Sequence, residues 1–326
     1  MLTAYLASEL SHGGPLTAST SVDESSIDRA LWIDLFEPTP EQEELVETLL
    51  RVNIPTRDEM REVESSSQLY REDGSTFVTL RVVTRLKGFS PMLTSITTIL
   101  TGQKMITVRY AEPTSFRNFV ERVAKPESHV PTALSLFLCF AETIVDRDAD
   151  LLEEVGDSLD PISQKIFSQN SNSMQSIATA DLGGVLKLIG ASGDLSTRVR
   201  ESLHSVGRAV PFLQLEGLDA DLRSRLKTLQ RDVHSLLDHA TFLTAQIQFL
   251  LDSNLGLISI QQNAVMKTLT VASVVFLPPT LIGSIYGMNF AHMPELQWQH
   301  GYYYALALMV VSAIGPYLYF RVKGWL

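Results

Sequence analysis

"NAVMKTLTVASVVFLPPTLIGSIYGMNF" occupies Asn263–Phe290, and its reading decides the fold. Leu269–Gly287 is 19 residues without a charge. A second uncharged run of 19 residues, "YYYALALMVVSAIGPYLYF", fills Tyr302–Phe320. Roughly 20 apolar residues of helix cross about 30 Å of hydrocarbon, so the two runs predict two transmembrane helices. Lys267 precedes the first, Arg321 and Lys323 follow the second, and the loop 288–301 has neither Lys nor Arg. The positive-inside rule then puts both ends in the cytoplasm and the loop outside. Tyr302, Tyr303 and Tyr304 at one end, with Tyr317, Tyr319 and Trp325 at the other, suit interfacial belts.

The first run is not apolar all round. At 100° per residue Asn263, Thr270, Ser273, Thr280 and Ser284 fall within roughly 100° of one another. Met266 and Leu277 share that stripe, and Leu269 borders it. Hydroxyls in a membrane helix bond back to their own backbone, glue helices together or line a water-filled path. A stripe that begins at Asn263 and ends by Asn289 favours the path. Two helices cannot enclose a pore, so identical first helices from several copies would ring it. The second helix would lie outside, against lipid. Pro278 and Pro279 are expected to interrupt the first helix.

Upstream, no proline occurs between Asp221 and Pro278, and Gly256 is the one mild breaker. Helical periodicity over 221–287 predicts a helix on the order of 100 Å long, leading from the soluble part into the membrane. The alternative is two helices with a bend near "DSNLGL" (Asp252–Leu257). Such helices in a ring would form a funnel below the membrane.

The first 125 residues or so read as an α/β region. "ALWIDLFEP" (Ala30–Pro38) is a strand stopped by proline, and "TPEQEELVETLLRV" (Thr39–Val52) a capped amphipathic helix. "STFVTLRVVTRL" and "SITTILTGQKMITVRYAE" are strand-rich, with a hairpin turn at "LTGQKM", and "SFRNFVERVA" is a short helix. From Thr132 to about Arg208 the pattern is helical, and "NSNSMQSIATADLGGVLKLIGASGD" suggests a turn between antiparallel helices. The acids Asp146, Asp148, Asp150, Glu153, Glu154, Asp157 and Asp160 could bind cations loosely, but a solvated helix face is the commoner explanation of such a run.

Charge is divided unevenly over the 326 residues. The whole chain carries −11, whereas residues 263–326 carry +2, leaving −13 on the rest. An acidic body argues against nucleic acid as a partner and suits one that meets cations. Cys139 is the single cysteine, so there is no disulfide frame, and its surroundings read as core. "MLTAYLASEL" lacks the basic start and long apolar core of a signal peptide. A P-loop, paired cysteines and an HExxH arrangement are missing from the sequence, which argues against an enzyme.

"YGMNF" followed by "MPEL" resembles the signature of the CorA-type divalent-cation channels, chiefly magnesium transporters. The similarity is strongest over roughly the last 75 residues, through "PYLYFRVKGWL". The resemblance implies an α+β membrane protein: an αβα cytoplasmic domain within 1–220, a stalk helix over 221–268, a pore helix over 269–287, an outer loop over 288–301, a second membrane helix over 302–320 and a basic tail over 321–326. It implies a funnel-shaped homopentamer in the bacterial inner membrane that moves Mg²⁺, with Co²⁺ and Ni²⁺ as further passengers and no resident cofactor. By motif match Gly287, Met288 and Asn289 form the selectivity filter, Tyr286 supports it, Asn263 forms the inner polar ring, Met266, Leu269 and Leu277 the hydrophobic gate, and Thr280 a polar ring above it. Mg²⁺ dehydrates reluctantly, and a ring of amide oxygens accepts hydrogen bonds from its water shell. Gly287 is expected to let the backbone turn tightly. Glu295 is the one carboxylate of the outer loop and would draw cations there. His292 and His300 flank it as possible Zn²⁺ ligands.

One region departs from the family. Asp252 matches an acid that binds regulatory Mg²⁺ between subunits, but the region expected to supply its partner reads "VVTRLKGFSP", with Arg85 and Lys87. That departure keeps a ZntB-like Zn²⁺ transporter in view. A membrane-anchored, non-conducting sensor is a further alternative, which would need neither polar stripe nor asparagine rings.

Overall fold

The alternating strands of the first 110 residues join in one mixed sheet. The computed structural model describes the chain except residues 8–14, 21, 63, 85–89, 127–129, 168–181, 214–218, 290–292 and 326. Its strands are β1 (Leu2–Ala7), β2 (Leu16–Ser19), β3 (Ala30–Phe36), β4 (Leu69–Glu72), β5 (Ser75–Thr84), β6 (Met92–Thr101) and β7 (Lys104–Arg109). They lie in the order β2-β1-β3-β7-β6-β5-β4. Only β3 and β7 run parallel among these strands, and their central position explains why both are buried on both faces. The predicted turn at "LTGQKM" joins β6 to β7, where Thr101 pairs with Lys104 and Gly102 takes a left-handed φ of 55°. A second tight turn, Asp73-Gly74, joins β4 to β5 with φ of 47° and 78°.

Helices cover both faces of the sheet. α1 (Glu24–Arg29) and α2 (Pro40–Leu50) supply Ile27 and Val46 to a core with Ile33, Leu35, Ile99, Ile106 and Val108. Thr39 precedes α2 and donates its backbone N–H to Gln42 Oε1 at 3.2 Å, while Pro40 fills the first position. α3 is the short turn Ser65–Gln68. On the other face β3 presents Trp32, which meets Phe119 of α4 (Thr114–Val123) at 4.9 Å between ring centroids. Phe119 in turn meets Phe140 of α5 (Ala133–Phe167) at 5.1 Å. The period of two along β3 feeds both cores, giving an α/β/α layering.

α5 is followed by α6 (Leu182–Phe212) and α7 (Ala220–Tyr286). Ser158 meets Ser192 at 2.9 Å, and Asp148 faces Ser202, so α5 and α6 run antiparallel. Gly207 lies against Val233 and Gly193 against Ile247, which sets α6 antiparallel to the first part of α7. A Cβ on Gly207 would come within 3.2 Å of Val233 Cγ1, so the glycine permits that close approach. Cys139 is buried, as its sequence context predicts, and burial pushes its thiol up. α8 (Gly301–Val322) ends the chain, after a 3-10 turn at Pro294–Gln297.

The chain divides into two compact units: Met1–Ser168 with Val185–Leu250, and Gln169–Gly184 with Leu251–Leu326. α7 contributes residues to both, and its 67 residues, Asp252–Leu257 included, are continuously helical. Several expectations need correction. Pro278 and Pro279 do not interrupt α7, because the rest of the i to i−4 ladder carries the helix past the two missing donors. The stretch expected as a turn begins helix at Leu182, so Gly183, Gly184 and Gly190 lie inside α6; residues 168–181 of that stretch are outside the described residues. Asp148 is not on the solvated acidic face. It is 1% exposed and turned into the bundle, since at 100° per residue it falls roughly opposite Asp146 and Asp157.

Candidate functional site

In the second unit α7 presents its polar stripe outward. Asn263, Met266, Leu269, Thr270, Ser273, Leu277, Thr280 and Ser284 are all exposed. The covered side of the same helix carries Ala264, Val271, Val275, Pro278 and Ile282, of which Val271 is buried. These two sets are centred roughly 150° apart on the helical wheel. On the covered side Gly283 approaches α8: a Cβ there would meet Met309 Cε at 3.5 Å. The stripe is therefore the side of α7 turned away from α8. Phe276 on one flank, with Leu281 and Ile285 on the other, are also exposed. Flanks of that size need a neighbouring helix or lipid to cover them.

The hydroxyls of the stripe are committed in one direction. Thr270 donates to Met266 O at 2.8 Å, Ser273 to Leu269 O at 2.9 Å and Thr280 to Phe276 O at 2.7 Å. Each proton is taken by the helix's own carbonyl, which leaves the oxygen lone pairs as acceptors. Three hydroxyls that turn acceptors outward suit a species that presents hydrogens, as the water shell of a cation does.

At the end of α7 the backbone N–H of Gly287 donates to Gly283 O at 3.0 Å, and that of Met288 to Ile285 O at 3.2 Å. Gly287 lies in a turn at the helix end without taking a left-handed φ; the left-handed glycines among the described residues are Gly74, Gly102 and Gly324. Its need is for space instead, since a Cβ would stand 3.2 Å from Gly283 O. Met288 and Asn289 are exposed beyond the helix end. Tyr286 is half-buried.

The remaining predicted residues scatter. Glu295 belongs to the 3-10 turn, and its side chain is outside the described part, as is the whole of His292. His300 caps α8, its ring 6.2 Å from that of Trp298. Among the described residues no three His, Cys, Asp or Glu side chains gather as metal ligands. Asp252 is exposed on α7, while Arg85 and Lys87 lie outside the described residues. Lys267 places its ammonium 5.7 Å from the Trp325 ring centroid, tying the start of the first apolar run to the tail after the second. That contact puts the two basic ends at one level, as the charge pattern predicts.

Sequence reasoning passed over a buried pair in the sheet. Asp34 and Arg109, on adjacent parallel strands, are 2% and 7% exposed. Arg109 Nη2 donates to Asp34 Oδ2 at 2.9 Å, Nε donates to both oxygens at 3.1 Å, and Thr107 donates to Oδ1 at 2.7 Å. Burial pushes the Asp34 carboxyl up, and the Arg109 guanidinium opposes it. Phe36 and Phe116 hold the guanidinium at 4.2 and 4.1 Å from their centroids. The signal was an acid inside the apolar run "LWIDLF". The pair is closed and offers nothing to a ligand.

α7 and α8 are long and apolar enough to cross a membrane, and their apolar windows are largely unburied in the single chain. A long soluble-to-apolar helix, a second apolar helix after a GMN-bearing loop and an α/β/α body define a class of membrane transport protein. The chain belongs to the CorA-like Mg²⁺ transporter family, whose model matches residues 28–321. The family likeness thus runs far beyond the last 75 residues. The magnesium transport protein CorA of Yersinia pseudotuberculosis is 33% identical over 308 residues, covering 94% of this chain and 95% of its own. That of Haemophilus ducreyi is 33% identical over 311 residues, with 94% and 96% covered. Among solved structures, the complete CorA magnesium transporter from Methanocaldococcus jannaschii aligns with 100% of this chain and 99% of its own at a TM-score of 0.70 and 17% identity. Full-length CmaX aligns at 0.68, also with 17% identity. At that identity the structural likeness speaks for the fold.

Proposed function

We propose that this chain is one subunit of a homopentameric channel that moves Mg²⁺ across the inner membrane, with Co²⁺ and Ni²⁺ as secondary ions. The observation that carries the reading is the direction of the stripe. Its acceptors are exposed on the side of α7 away from α8, which is the side that identical neighbours would turn toward a common axis. α8, with exposed Tyr302, Val311 and Tyr319, would then face lipid. The 33% identity to magnesium transport proteins over nearly the whole chain supports the ion.

In this reading Gly287, Met288 and Asn289 form the outer filter, where the Asn289 amide oxygens accept hydrogen bonds from a hydrated ion. Thr270, Ser273, Thr280 and Ser284 continue the acceptor path, and Asn263 closes it at the inner end. Met266, Leu269 and Leu277, about 60% exposed in the single chain, would dewet the path when the helices draw together. Glu295 would concentrate cations at the mouth, and both termini would lie in the cytoplasm.

The test is ion entry into proteoliposomes carrying an internal Mg²⁺ dye, with a Zn²⁺ dye in parallel. Wild type should admit Mg²⁺, and Asn289→Ala should fall to the empty-liposome rate. Zn²⁺ entry without Mg²⁺ entry would move the chain to the ZntB-like reading. No entry of either ion through an intact oligomer, with divalent cations absent inside, would leave the non-conducting sensor.

A further inference from the structure

The first unit contains a basic cavity of about 490 Å³, unusual on a body whose first 262 residues carry −13. Arg200, His204 and Arg208 line it from one face of α6, spaced by four residues. Arg81 enters from β5 and Gln68 from α3. Glu201 is the one carboxylate among the described lining residues. Among the described lining residues three guanidiniums therefore stand against one carboxylate.

The polar groups of the cavity are partly spent, and what is left over is informative. Arg208 Nη2 donates to Gln68 Oε1 at 2.7 Å. Arg81 Nη2 approaches Glu201 Oε1 at 3.3 Å, and the Arg81 backbone N–H donates to Ser205 Oγ at 3.0 Å. Yet Arg81 Nε is a buried donor without an acceptor. A buried guanidinium N–H with no partner costs stability unless something supplies an oxygen. Glu201 and Arg208 are exposed, so the cavity is reached from solvent.

We propose that this cavity binds a phosphoryl dianion, either free phosphate or the phosphate end of a larger metabolite. The proposal stands independently of the transport reading. Clustered guanidiniums around one cavity suit the high charge density of a phosphoryl group better than that of a single carboxylate. Forked guanidinium donors fit the tetrahedral oxygens of phosphate in bidentate fashion. Glu201 opposes the anion and holds Arg81 back from it, so the site gains when that carboxylate is neutralised.

The experiment is calorimetric titration of the full-length oligomer in detergent, in phosphate-free buffer at constant ionic strength. Inorganic phosphate, pyrophosphate, ATP and sulfate are added separately. Saturable binding of phosphate or of a phosphate ester is expected, weakened at least about tenfold by Arg200→Ala and less by Arg200→Lys. Glu201→Gln should tighten it. Binding of phosphate alone assigns the free ion, and binding of ATP without phosphate assigns the phosphate end of a nucleotide; both support the site. An absence of saturable binding for all probes overturns it, as does binding that Arg200→Ala and Arg208→Ala leave unchanged. Weaker binding in Glu201→Gln also overturns it, because that is how a cation site behaves. Oligomer size and thermal midpoint without phosphate should match wild type in each variant, which separates loss of the site from loss of the fold.

Discussion

The sheet and the apolar end of α7 both contain polar groups on otherwise apolar elements, and they satisfy them in opposite ways. In the sheet, Asp34, Thr107 and Arg109 complete one another, donor to acceptor, between aromatic rings. On α7, Thr270, Ser273 and Thr280 give their protons to their own helix and keep their acceptors outward. A closed network gives the fold one geometry. A half-closed one costs the helix little and leaves acceptors outward, which the proposed ion path would use. The contrast teaches that a buried polar group can be wholly spent on the fold, whereas outward acceptors on an apolar helix remain available to a partner.

The comparison can be broken most readily at the closed pair. Asp34→Ala leaves Arg109 buried and unpaired, which should cost about 3–5 kcal/mol. The thermal midpoint of the purified oligomer should drop by many degrees. A variant as stable as wild type would show that the sheet pair is not needed by the fold. A smaller effect is expected at Asp148, whose carboxyl is pushed up from 3.8 to about 8 by burial, with Ser202 and Arg147 opposing. The folded chain holds a proton there that the unfolded chain gives up near pH 4. Stability contributed by this group is therefore present at low pH and lost as pH rises from about 4 to about 8. Asp148→Asn should flatten that slope and exceed wild type at pH 8 by on the order of 2 kcal/mol. Equal slopes in both proteins would refute the buried, protonated carboxyl.

The least effect on stability is expected where the effect on flux is clear. Thr270→Val, Ser273→Ala and Thr280→Val remove hydroxyls bonded to their own helix, and each should shift stability by no more than about 0.5 kcal/mol. Mg²⁺ entry into liposomes should nonetheless fall several-fold, and further when the changes are combined. Unchanged flux in the triple variant would sharpen the contrast the other way, making the hydroxyls helix furniture alone.

Much of the architecture is legible from local pattern. β3, α2, the β6–β7 turn and α4 all follow from runs whose period, caps and breakers agree with their tertiary setting. β1, β2 and β4 were passed over because each is short, at or near a sheet edge, with too few residues to establish a period. The Asp73-Gly74 pair did carry a hairpin signal. Asp148 could have been separated from its acidic neighbours by its helical angle, which local charge counting ignores. The stripe on α7 was readable because one helix supplies all of it. The basic cavity was not, since Gln68, Arg81 and Arg200 are brought together only when α3, β5 and α6 pack. The same holds for Asp34 and Arg109, joined by a parallel pairing 75 residues apart in sequence.

The double proline of α7 has a mechanical consequence. Pro278 and Pro279 carry no N–H, so the carbonyls of Val274 and Val275 have no partner four residues on. Flexing the helix at this level therefore gives up two fewer hydrogen bonds than flexing it elsewhere. Leu277 and Thr280 stand on either side of those prolines, so two residues of the proposed path are attached to the softest joint of the rod that carries them.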